Sequence, residues 1–139
     1  MLVKTGYVFL GACLYFMLTI LLLTLPGSAF PQEDFFSKIQ LDKWIHIGMF
    51  SLLVLIWNFW LMKKKGGGQK LFSAFLMISI GALVYGIVME YVQKWYVPNR
   101  SFDTGDIIAD GAGAAIGLLA SVYLYKKIDP CGNRGRNQN

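Results

Sequence analysis

Four stretches of this chain, about Tyr7–Leu25, Trp44–Met62, Leu71–Val92 and Ile107–Tyr125, are almost continuously apolar. Each is close to the ~20 residues that cross a ~30 Å hydrocarbon layer at ~1.5 Å per residue. The first two have almost no polar face, and a helix that is hydrophobic all round belongs in lipid rather than at a water-facing surface. The connections are short and polar. Pro26-Gly27 breaks the first helix, and Gln32–Leu41 places Phe35, Phe36 and Ile39 on one side of a short interfacial helix or surface connector. Lys63-Lys64-Lys65-Gly66-Gly67-Gly68 is a flexible basic loop. The segment Lys94–Gly105 opens on Trp95 and Tyr96, aromatics suited to the headgroup layer. It turns at Pro98-Asn99 and offers Asp103 or Thr104 as the cap of the fourth helix. The pattern predicts an all-α polytopic membrane protein, four transmembrane helices in a single domain spanning residues 1–139, with both termini on one side.

Composition narrows this further. The chain is 55% hydrophobic and only 15% charged, with room for one domain in 139 residues. A net charge of +5 raises nucleic acid as a partner, but the distribution of the basic residues excludes that reading. Under a four-span topology Lys4, Lys63, Lys64, Lys65, Lys70, Lys126, Lys127, Arg134 and Arg136 share one side. Lys38, Lys43, Lys94 and Arg100 lie on the other, so the count is nine against four. The positive-inside rule makes the first side, with both termini, cytoplasmic. Such a protein is expected in a membrane, in contact with its lipids. Leu10-Gly11-Ala12-Cys13 looks like a lipoprotein cleavage site, yet the apolar run continues past Cys13 and completes a span. Cys131 falls in a Gly-, Asn- and Arg-rich tail, 129–139, that is expected to be disordered.

The polar residues within the spans are more specific. Asp42 and His46 open the second span four residues apart, Glu90 and Gln93 close the third, and Asp106 and Asp110 open the fourth. Residues four apart share a helix face, and this topology brings all six to the outer membrane surface, below Arg100, Ser101 and Asp103 in the loop. On the fourth helix Asp106, Asp110, Gly113 and Gly117 form one stripe; on the third, Ala82 and Gly86 lie below Glu90. Small residues on both faces predict that these two helices pack together there. A charge at the bilayer centre carries a penalty of at least ~2.5–3.5 kcal/mol, so such groups within spans are functional candidates by default.

In order, Asp42-Lys43-x-x-His46, Glu90-x-x-Gln93, Pro98-x-Arg100-Ser101-Phe102-Asp103-x-x-Asp106 and Gly113-x-x-x-Gly117 resemble the VanZ-like family of bacterial membrane proteins. The resemblance covers roughly Leu41 to Ala120. Its one departure is Asp110, where the family pattern leads one to expect Asn. The family is named for a protein associated with resistance to the glycopeptide teicoplanin, so the resemblance implies a role in the cell envelope and in antibiotic resistance.

Three functions fit these residues. The first is a pocket binding an envelope precursor, with Arg100 on a carboxylate or phosphate, His46 and Gln93 as hydrogen-bonding groups, and Trp95 and Tyr96 as walls. The second is an enzyme acting on a lipid-linked envelope substrate, with His46, Glu90, Asp106 and Asp110 as candidate acid/base groups. The third is a structural subunit of a membrane complex. No cofactor is predicted. A divalent cation held by His46, Glu90, Asp106 and Asp110 is a lesser reading, because one His without a ligating Cys makes a poor zinc site.

Overall fold

The computed structural model describes residues 4–26, 28, 40–65 and 70–128. They form the helices α1 (Thr5–Leu23), α2 (Leu41–Lys65), α3 (Lys70–Tyr96) and α4 (Thr104–Ile128), with no strand among them. All four are long and apolar enough to cross a membrane. The protein is an all-α, multi-pass membrane protein. The interfacial segment expected at Gln32–Leu41 lies outside the described residues up to residue 39, as do the glycines of the basic loop and the tail after Ile128.

Local chemistry sets the helix ends. Pro26 cannot extend a helix and disfavours helical geometry in the residue before it, so α1 stops at Leu23. Pro98 does the same for α3, and the chain turns at Asn99, whose φ of 59° lies in the left-handed region that Asn tolerates. Asp103, rather than Thr104, caps α4: its Oδ1 accepts the Gly105 N–H at 2.7 Å.

Side chains that would meet only water in a soluble protein are apolar here. Met77 on α3 is 68% exposed and Leu119 on α4 is 69% exposed, as a lipid-facing surface requires. The interior is built around α2, which touches the other three helices, α4 most extensively. Met49, Phe50, Leu53 and Val54 of α2 form its middle, with Ala82 and Met89 of α3 and Ala114 of α4. Several polar groups inside the bundle are paired with one another, as a medium without water favours. Tyr15 Oη donates to Met49 O at 3.1 Å, and Thr19 Oγ1 pairs with Tyr85 Oη at 3.1 Å.

The glycine stripe of α4 has a different neighbour from the one its pattern predicts. A Cβ on Gly113 would lie 2.5 Å from Ile47 O, and one on Gly117 2.6 Å from Ser51 O, so both glycines admit the backbone of α2, not α3. Gly86 of α3 faces α4, but what it accommodates is the Asp110 carboxylate. Ala82 is buried in the main core. Close approach of α2 and α4 fixes where His46 and Asp110 meet.

Candidate functional site

The first turns of α2 and α4, the last turns of α1 and α3, and the loop 97–103 meet at one end of the bundle. Lys63 and Lys64 of α2, with Lys126 and Lys127 of α4, mark the opposite end. His46 is 4% exposed and Asp110 is 1% exposed, and His46 Nδ1 lies 2.7 Å from Asp110 Oδ1. The other imidazole nitrogen, Nε2, is 3.9 Å from Asp106 Oδ2, beyond direct hydrogen bonding. Phe50, one turn below, stacks on the imidazole with ring centroids 6.5 Å apart and planes within 5°. Tyr85 continues the stack at 5.8 Å from Phe50. The His46 ring is thus held by a carboxylate at one nitrogen and by an aromatic face.

Lys43 joins the remaining acids. Its Nζ donates to Asp103 Oδ2 at 2.7 Å and lies 3.4 Å from Asp106 Oδ1 and 3.5 Å from Asp42 Oδ2. The ammonium hydrogen bond, with a second from the Gly105 N–H, holds the Asp103 carboxyl below its ordinary range. Glu90 lies buried on α3, and its Oε2 accepts the Asp103 backbone N–H at 3.0 Å. A connected path therefore runs from Glu90 through Asp103, Lys43 and Asp106 to His46 and Asp110. It links α3, the loop, α4 and α2.

Other predicted residues are placed differently. Gln93 is buried, but its amide donates to Leu23 O at 2.9 Å and so ties α3 to the end of α1. Ser101 is exposed. Trp95 and Tyr96 are also exposed and line no cavity with the acids. The walls of the cavity beside the network come instead from Leu22 and Leu23 of α1 and Ile45 and Met49 of α2. Asp42, His46 and Arg100 supply its polar side, and its volume is about 180 Å³.

Among the described residues, acidic oxygens of Asp42, Asp103 and Asp106 lie within 4.8 Å of one another, close enough to share a cation. This is not the set His46, Glu90, Asp106 and Asp110 named from sequence. The Lys43 ammonium already stands among these three carboxylates and supplies positive charge there.

Lys43 was the residue that sequence reasoning left out of the site, although it sits inside the Asp42–His46 motif. A lone cation next to four acids brought together by topology was the available signal. Comparison of the chain with family models, with curated proteins and with solved structures gives no match in any of the three.

Proposed function

We propose that this is a VanZ-like protein of the bacterial inner membrane whose extracytoplasmic pocket binds the polar part of a cell-envelope precursor. One observation carries the reading. Asp42 and His46 of α2 and Arg100 of the loop, widely separated in sequence, border a cavity at the bundle end opposite the lysine-rich one. The motif residues of the family resemblance, Asp42, His46, Glu90, Arg100, Asp103 and Asp106, all belong to that end. By the positive-inside rule the lysine-rich end is cytoplasmic, so the pocket faces outward.

A purely structural network would need no adjoining cavity and no half-exposed charges. Asp42, whose side chain is 51% exposed, can meet a ligand without dismantling the interior. The test is complementation of a deletion strain, read as tolerance of a glycopeptide antibiotic. Asp42→Asn and Arg100→Ala are expected to fail while the protein is made and melts normally. Full complementation by both would remove the pocket from the function.

A second reading, an acid/base enzyme acting on a lipid-linked envelope substrate, draws on a single contact. A carboxylate 2.7 Å from Nδ1 orients an imidazole and stabilises its protonated form, leaving Nε2 as the reactive nitrogen. That reading requires Asp110→Asn to bind substrate but turn it over slowly, with an altered pH profile.

A further inference from the structure

The cavity between α1 and α2 is divided by chemistry. Leu22, Leu23, Ile45 and Met49 make one side apolar, and on the other stand the Asp42 carboxylate and the Arg100 guanidinium, with the His46 imidazole already engaged by Asp110. Its apolar side reaches the surface of the bundle: Leu22 is 36% exposed and Ile45 40% exposed, both on helices long and apolar enough to cross a membrane. At about 180 Å³ it is smaller than the ~300–1,000 Å³ that encloses a whole drug-sized ligand. An occupant of this size puts only one end of itself into the protein and leaves the rest in the bilayer.

Opposite charges on the polar side select that end. An anionic head would meet Asp42 unfavourably, and a cationic head would meet Arg100 unfavourably. A head carrying both charges satisfies each. Arg100 suits a phosphate through paired N–H donors. The Asp42 carboxylate is half exposed and only loosely paired, 3.5 Å from a Lys43 ammonium that is hydrogen-bonded more closely to Asp103. It therefore has capacity for a second ammonium.

We propose that this cavity seats the head of a zwitterionic phospholipid of the phosphatidylethanolamine type, with the phosphate on Arg100, the ammonium on Asp42 and the first part of a chain against Leu22 and Ile45. The inference rests on the pocket reading above and names the class of ligand for it.

Native mass spectrometry of the full chain tests it, with phosphatidylethanolamine, phosphatidylglycerol and diacylglycerol of matched chains as probes. One phosphatidylethanolamine is expected to be retained about tenfold more tightly than phosphatidylglycerol, the worth of one well-placed charged contact, and more tightly still than diacylglycerol. Asp42→Asn should erase the preference over phosphatidylglycerol, and Arg100→Gln should reduce phosphatidylglycerol to the diacylglycerol level and weaken phosphatidylethanolamine by a similar factor. Ile45→Trp fills the apolar side without touching either charge and should expel the lipid from a chain that melts normally. Equal retention of all three probes identifies an annular lipid only and overturns the assignment, as does a preference that survives all three variants. A flat lipid profile with failed complementation by Arg100→Ala overturns this inference and leaves the envelope function standing. Selective retention with full complementation by every pocket variant does the reverse.

Discussion

The α2–α4 interface carries a neutral polar pair and an ionisable cluster toward its two ends, with Ser51 Oγ donating to Gly113 O at 3.0 Å between them. Toward the lysine-rich end, Asn58 Nδ2 donates to Ser121 Oγ at 3.1 Å, and Ser121 donates to Gly117 O at 2.7 Å. Every member is neutral, both side chains are fully buried, and no other helix takes part. At the opposite end His46, Asp106 and Asp110 are also buried, but they are ionisable and connect through Lys43 and Asp103 to a loop and a third helix. His46 also borders a cavity. The neutral pair is what two helices need to stay in register in lipid, where one hydrogen bond is a modest gain. Charge demands more partners, and the outer cluster recruits them from across the fold. A cluster assembled at such expense, beside a cavity with half-exposed charges at its edge, is better suited to a ligand than to holding two helices together.

The largest expected effect breaks the outer cluster. His46→Ala removes the 2.7 Å partner of the buried Asp110 carboxylate, and stranding one member of a buried ion pair costs ~3–5 kcal/mol. Asp110→Asn keeps an oxygen that can accept from Nδ1–H and should melt near the parent. If His46→Ala melts like the parent in detergent, the His46–Asp110 contact is not what holds that end. Next comes the seam. Gly113→Leu drives a side chain into Ile47 O and Phe50 and should cost ~1–3 kcal/mol through overpacking. A parental melting temperature would place the α2–α4 contact elsewhere.

Ser121→Ala, in the neutral pair, should cost only about 0.6 kcal/mol, the average for a hydrogen bond between membrane helices. A loss as large as that from His46→Ala would erase the contrast between the two ends. The smallest effect is in the pH dependence. Because the Asp103 carboxyl is held below its ordinary range, its contribution is present above about pH 4 and is lost as pH falls through the lowered value. Lys43→Met should flatten that acid limb in a pH series of thermal melts, and an unchanged limb would assign it to another carboxylate.

Much of this was legible in the chain. The apolar stretches locate all four helices, but α2 begins at Leu41 and ends at Lys65, overrunning Trp44–Met62 at both ends. Hydropathy reports where hydrocarbon lies, whereas backbone hydrogen bonding carries a helix on through the headgroup layer. The spacing of Asp42/His46 and Asp106/Asp110 correctly groups residues by face. It does not say which helix a face meets, and that is why Gly113 and Gly117 were assigned to α3 when they receive α2. Lys43 escaped because adjacent helical residues point in different directions, yet its long stem lets the ammonium reach Asp42, Asp103 and Asp106 together. The apolar cavity walls escaped for a plainer reason. Leu22, Ile45 and Met49 are ordinary span residues, and nothing in their identity separates a cavity wall from a lipid-facing side chain.

The central claim is that the outer cluster serves a ligand and is more than a fastening between helices. Arg100→Ala tests it most directly, because Arg100 borders the cavity from the loop, outside all four helices. Glycopeptide tolerance of the complemented deletion strain and the melting temperature of the purified variant are measured on the same chain. The account predicts tolerance lost and melting unchanged. Tolerance retained, or lost only together with a collapse in melting temperature, would contradict it.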